Sequence, residues 1–179
     1  ISLQLWDAYS MTMFPLTDDY EMANEVLTEM ADNIDQGFTQ IGRKIYFSPE
    51  LEQYLRPTLP AEGEQRGSLV GDGLASCVLG FDHTDKVRSR TVLFATDNEV
   101  YGDGVYNLSE AIEFAKRQGV TVTALYPGSG FVLGREAEEL RDEVRKTGGD
   151  FYDASSPSAV DSVVKQIEAE QKEDLDSAG

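Results

Sequence analysis

The regular alternation of helix and strand patterns after residue 69 limits the chain to an α/β fold. The run 91–96 is mostly apolar and of strand length, which is typical of a strand buried on both faces. Further strand patterns lie at 120–125 and 150–153, and helix patterns lie at 69–81, 108–118, 135–147 and from 156 onward. This order predicts a doubly wound, mostly parallel sheet with helices on both faces.

The first 67 residues follow a different pattern. Residues 1–6 alternate apolar and polar side chains and residues 10–16 nearly do so, with Asp7-Ala8-Tyr9 between them, which predicts an antiparallel edge hairpin. A helix is expected from Thr17 or Asp18 to about residue 34. Glycines and prolines then interrupt the helical spacing of apolar residues. Only Ser48-Pro49 indicates a helix start, for a short helix around 49–55. We therefore expect one domain over residues 1–173, with an insertion at 36–66 and a polar tail at 174–179.

Composition excludes several classes of function. The 179 residues carry a formal net charge of −18, which disfavours nucleic acid and anionic membrane surfaces as partners. Cys77 is the single cysteine and His83 the single histidine, so an intrachain disulfide and zinc sites built from several of these residues are excluded. No apolar run approaches the roughly 20 residues that a membrane span needs. Cations and basic protein surfaces suit the charge better.

Two polar residues occupy positions where an α/β sheet binds ligands. Asp97 directly follows the strand pattern at 91–96, and such sheets bind ligands beyond the carboxyl ends of their strands. Ser68 stands at the start of a glycine-containing helix pattern. Each has a plain structural alternative, because Asp97 could cap a turn or helix and Ser68 could be a helix N-cap.

Taken together, these segments resemble the von Willebrand factor A (vWA) family. The resemblance rests mainly on Gly67-Ser68-x-x-Gly71-Asp72-Gly73-Leu74 and on the strand that ends in Thr96-Asp97. Further segments match in order, namely 2–6, 14–17, 110–116, 119–122 and the close at 152–154, so the resemblance covers nearly the whole chain apart from 36–66. The resemblance implies that Ser68 and Asp97 are two ligands of a metal-ion-dependent adhesion site, which would hold Mg²⁺, Mn²⁺ or Ca²⁺.

The sequence departs from the family in two places. Asn98 stands where the family usually has glycine, although asparagine tolerates the left-handed conformation. The family's first strand and its Asp-x-Ser-x-Ser loop have no counterpart here, and the near match at 153–157 is interpreted as a cap. Magnesium takes about six oxygen ligands, and Ser68 and Asp97 supply two. We therefore expect an N-terminally incomplete fold with an incomplete metal site, and a gap or a substitute strand between 2–6 and 91–96.

The resemblance implies a binding role. We expect a divalent-cation-assisted protein-binding module and no enzyme activity, with an acidic side chain of a protein partner completing the metal site. The C-terminal segment 151–154 and the final helix resemble bacterial Bat-type vWA proteins. This resemblance implies a MoxR-type AAA ATPase system as partner. It also implies a membrane-anchored or cell-surface parent protein. The alternatives are a metal-free vWA-like scaffold and a hydrolase that uses Asp97.

Overall fold

The computed structural model describes residues 1–41, 44–61, 64, 67–82, 88–128 and 134–177. The chain divides into two compact units, Ile1–Gly67 and Ser68–Gly179, and each is described by itself. His83 and residues 129–133 lie outside the described residues.

The first unit opens with the predicted antiparallel hairpin. Strand β1 (Leu3–Trp6) pairs with strand β2 (Ser10–Phe14), with an irregularity in the register between Leu3 and Gln4. Phe14 is buried, as the alternating pattern requires for one face of a half-covered hairpin. The predicted antiparallel pairing is therefore confirmed, and the two strands form a two-stranded sheet of their own.

Helix α1 spans Tyr20–Gly37, and its N-cap is Asp19. The Asp19 carboxylate accepts a hydrogen bond of 3.0 Å from the backbone N–H of Met22. The prediction of Thr17 or Asp18 as the cap was wrong by one or two residues, because the Thr17 hydroxyl instead accepts from the N–H of Asp19 in the preceding turn. Several consecutive capping residues leave such a choice open in the sequence.

A second hairpin, β3 (Phe38–Ile41) with β4 (Lys44–Phe47), follows α1 and was not predicted. All four residues of β3 are exposed, so the strand lacks the apolar–polar alternation of a half-buried strand. Helix α2 (Pro49–Leu55) begins as expected, with the Ser48 hydroxyl accepting from the Leu51 N–H at 3.1 Å. A 3-10 turn at Arg56–Thr58 follows it.

The second unit contains the alternating helices and strands that the sequence predicts. Its elements are α3 (Val70–Leu79), β5 (Thr91–Ala95), α4 (Leu108–Arg117), β6 (Thr121–Tyr126), α5 (Arg135–Arg145), β7 (Phe151–Asp153) and α6 (Ala159–Ser177). The strands pair in parallel in the order β5-β6-β7, which confirms the α/β class with a parallel sheet. Helix α6 continues to Ser177, into the segment predicted as a polar tail.

The core of this unit lies around β6, which is buried on both faces. Val122 and Ala124 are fully buried on one face, and Thr123 is buried on the other, where the side-chain amide of Gln166 in α6 donates to its hydroxyl at 3.1 Å. Strand β5 is less covered than predicted, since Leu93 remains 46% exposed. Its apolar sequence shows which side chains favour burial, but not how far neighbouring elements reach across the sheet.

Candidate functional site

The candidate site lies at the carboxyl end of β5, in the strand-end loop (residues 97–107). Asp97 is exposed and begins this loop. Its Oδ1 atom accepts a hydrogen bond of 3.0 Å from the backbone N–H of Glu99, so one carboxylate oxygen stabilises the turn. The turn-capping interpretation is thus correct for Oδ1, while Oδ2 has no hydrogen bond within the part of the chain that the structure describes.

Ser68 is joined to this loop through its backbone. Its N–H donates to the carbonyl of Tyr101 at 2.8 Å, and the N–H of Tyr101 donates back at 3.2 Å, which forms an isolated antiparallel bridge. Helix α3 begins only at Val70, with Leu69 at the N-cap and no side-chain cap, so the N-cap interpretation of Ser68 was wrong. Among the described residues, nothing hydrogen-bonds to the Ser68 hydroxyl.

Asn98, the second residue of the loop, makes two further contacts. It adopts φ of 57° and is only 3% exposed, which confirms that asparagine tolerates the left-handed turn. Its N–H donates to the Thr96 hydroxyl at 3.0 Å, and its side-chain amide donates to the carbonyl of Glu136 at 3.0 Å. The buried Oδ1 atom of Asn98 has no partner among the described residues.

The far end of the strand-end loop is held by Asp72, a residue whose role the sequence did not reveal. The Asp72 carboxylate accepts hydrogen bonds from the N–H groups of Val105 and Tyr106, at 3.0 and 2.7 Å. Gly71 allows this close approach, because a Cβ there would lie 2.2 Å from the carbonyl oxygen of Tyr106. The only sequence signal was an acidic residue in the first turn of a helix, which is usually a dipole effect.

Helix α4 leaves the loop through a capping box. The Asn107 side chain accepts from the N–H of Glu110 at 2.9 Å, and the Glu110 carboxylate accepts from the N–H of Asn107 at 2.9 Å. Both ends and the turn of the loop are therefore fixed by hydrogen bonds.

The electrostatic field of the loop is negative. Residues 97–107 include Asp97, Glu99 and Asp103 and no lysine or arginine. The Tyr101 hydroxyl donates to Glu99 at 3.0 Å, and this hydrogen bond and the Glu99 charge raise the pKa of Tyr101, with a smaller upward contribution from Asp97. Such a field attracts cations and repels carboxylates.

The candidate ligands are of the kind that a hard cation binds, but they are few in number. The Ser68 hydroxyl and the second oxygen of Asp97 are oxygen ligands of the type that Mg²⁺ prefers. Within the described ranges, no group of three or more His, Cys, Asp or Glu side chains could hold a metal ion. The near match at 153–157 forms a local turn instead, in which Asp153 accepts from the N–H and the hydroxyl of Ser155 at 2.8 and 2.6 Å.

No family model matches the chain, and no curated protein matches it significantly. An aerotolerance-related membrane protein from Bacteroides fragilis is structurally similar, with a TM-score of 0.59 and 18% sequence identity, over 96% of this chain and 78% of that one. This likeness shows the fold. A membrane-spanning protein from Vibrio fischeri aligns with 94% of this chain and 74% of its own, at 19% identity and a TM-score of 0.37.

The α/β architecture agrees with the Rossmann-like and vWA type of fold that the sequence predicts. Among the helices of the described ranges, none has both the length and the apolar character of a membrane span.

Proposed function

We propose that the chain is a protein-binding domain of a bacterial vWA-type protein, and that a divalent cation assists the contact. The strand-end loop forms the binding surface. The observation that carries the proposal is the bridge between Ser68 and Tyr101, which joins the Ser68 segment to the loop that Asp97 begins. The bridge joins the segment that carries the Ser68 hydroxyl to the loop that begins with Asp97 at the carboxyl end of β5, and α/β sheets bind ligands at such strand ends.

The cation would be held by the Ser68 hydroxyl and the Oδ2 atom of Asp97. When bound, it would supply the positive charge that a partner's carboxylate needs in the negative field of Asp97, Glu99 and Asp103. Two protein ligands leave most coordination positions of Mg²⁺ to water, so we expect weak binding by this chain.

The likeness to the Bacteroides fragilis protein supports a membrane-associated bacterial parent, because that neighbour is described as an aerotolerance-related membrane protein. We include a MoxR-type AAA ATPase system among the candidate partners because the close of the sequence resembles Bat-type vWA proteins. We propose a binding role and no catalytic one. Hydrolytic turnover that Asp97→Asn abolishes would contradict this.

A metal-free scaffold is the second candidate. The observation in its favour is that one Asp97 oxygen already stabilises the turn, while the described residues offer no group of three acidic, histidine or cysteine ligands. In that case, the loop would bind its partner equally well with and without cations.

Calorimetric titration with Mg²⁺ and Mn²⁺ separates the two candidates. The proposal expects weak binding that Asp97→Asn abolishes and Ser68→Ala weakens. The matched control is Asp103→Asn, which removes a carboxylate of the same loop without touching the two proposed ligands. Absence of binding, or equal losses in Asp97→Asn and Asp103→Asn, would favour the scaffold.

A further inference from the structure

A shallow groove runs along helix α4 and starts at the strand-end loop. It has a volume of about 440 Å³ and is lined by Val105, Tyr106, Ser109, Glu110, Glu113 and Arg117. Val105 belongs to the loop, so the groove continues the surface proposed above. The cation ligands Ser68 and Asp97 do not line it.

One end of the groove is apolar and held in place. Val105 is 83% exposed, and Tyr106 is half-buried with its ring stacked on Phe114 at a centroid distance of 6.1 Å. The Asp72 carboxylate fixes the backbone of both lining residues. Apolar side chains on a fixed backbone lose little conformational freedom when a partner covers them, so they are well suited to binding.

The charged side chains of the groove are mainly acidic. Glu110 and Glu113 stand one turn apart on α4, and Arg117 lies one further turn along the same face. The adjoining loop contributes Asp103, and the chain as a whole carries a net charge of −18. Basic segments are therefore attracted to this surface and acidic ones are repelled.

We infer that this groove binds an extended segment of a partner protein that carries lysine or arginine side chains beside an apolar side chain. The apolar side chain covers Val105 and Tyr106, and the basic side chains pair with Glu110 and Glu113. Arg117 faces the end of the segment that carries no positive charge. The inference rests on the proposed function for the choice of surface, but it requires no cation. A partner carboxylate that reaches the cation would then lie within a basic surface.

Fluorescence anisotropy with two labelled peptides tests this inference on the full chain. The probes are a short peptide of alternating lysine and leucine that ends in two uncharged residues, and a matched peptide in which glutamate replaces lysine. We expect the lysine peptide to bind at low salt and the glutamate peptide not to bind. Glu113→Lys should weaken binding about tenfold, and Val105→Ser about threefold, because both lie in the proposed contact. The control Glu168→Lys makes the same charge change at an exposed position of α6 and should leave affinity within twofold.

Equal losses in Glu113→Lys and Glu168→Lys would overturn the inference, because they would show attraction to net charge alone. Preference for the glutamate peptide would also overturn it, as would self-association in sedimentation experiments that Val105→Ser abolishes. The same titrations with Mg²⁺ and with EDTA separate this inference from the cation proposal. Peptide binding that depends on Glu113 but not on Mg²⁺ supports the groove, whatever the outcome at Asp97.

Discussion

The side-chain amide of Asn98 donates a hydrogen bond of 3.0 Å to the backbone carbonyl of Glu136, in the first turn of helix α5. Asn98 is almost fully buried and adopts a left-handed backbone conformation directly after Asp97. The bond ties the turn that carries Asp97 to a helix 38 residues further along the chain. Asn98 is therefore one of the residues that hold the turn of the candidate ligand Asp97 in place.

Asn98→Asp should destabilise the protein although the two side chains have the same shape. Aspartate also tolerates the left-handed conformation, but it cannot donate to the Glu136 carbonyl, and it brings a second carboxylate close to Glu139. Removing the donor at a buried site should lower the free energy of unfolding by about 1–3 kcal/mol. Urea unfolding near pH 7 measures this loss.

Asn98→Gly is the control for backbone conformation, since glycine keeps the positive φ without adding a charge. It should cost less than Asn98→Asp. Equal stability of wild type and Asn98→Asp would show that the bond to Glu136 contributes nothing.

Gly71→Ala should be poorly tolerated because its methyl group would lie 2.2 Å from the Tyr106 carbonyl oxygen. Alanine favours the helix intrinsically, so any net loss of stability reports the clash. We expect a loss of about 3 kcal/mol, at the upper end of overpacking effects. Thermal unfolding and the near-ultraviolet signal of the tyrosines measure it.

Gly119→Ala is the matched glycine variant for this test. Gly119 has open space around it but a φ of 66°, so alanine there adds only backbone strain, of about 1 kcal/mol. A smaller loss in Gly71→Ala than in Gly119→Ala would mean that helix α3 and the strand-end loop do not pack as closely as described.

Two local capping signals predicted the starts of helices correctly. Asn107 with Glu110 and Ser48 with Pro49 both form the helix starts that their spacing indicates. These motifs act within four residues, so the sequence contains all the partners involved. The parallel order β5-β6-β7 was predictable for a similar reason, because alternating strands and helices allow few other arrangements.

The parts that failed depend on contacts distant in sequence. Ser68 reads as an N-cap beside a helix start, but its backbone pairs with Tyr101, which no local pattern reveals. The bond from Asn98 to Glu136 is equally invisible in the sequence. The hairpin of β3 and β4 escaped prediction because its exposed first strand shows no alternation. The candidate site was thus located by the rule that α/β sheets bind ligands beyond the carboxyl ends of their strands. The contacts within the site were not predicted.

Cys77 should be unreactive in the folded protein. Burial raises the pKa of its thiol from 9.0 to about 11, so very little thiolate exists near pH 8. We expect iodoacetamide to modify Cys77 slowly in the native chain and quickly in guanidinium. Equal rates in both conditions would show that the thiol is accessible and unperturbed.

The same shift predicts a pH dependence of stability. Because the folded-state pKa lies above the unfolded one, the contribution of Cys77 is fully present below about pH 9 and is lost as the pH rises through about 11. The difference in unfolding free energy between wild type and Cys77→Ala should therefore fall across this window. A difference that stays constant from pH 8 to pH 11 would contradict the shift.

We propose that Ser68 and Asp97 share one cation at the carboxyl end of β5. Paramagnetic broadening by Mn²⁺ in amide NMR spectra tests it directly, since even weak binding broadens nearby resonances. We expect residues 67–69 and 97–101 to broaden together at low Mn²⁺, Asp97→Asn to abolish both effects, and Asp103→Asn to leave them in place. Broadening of only one segment, or broadening that survives Asp97→Asn, would contradict it.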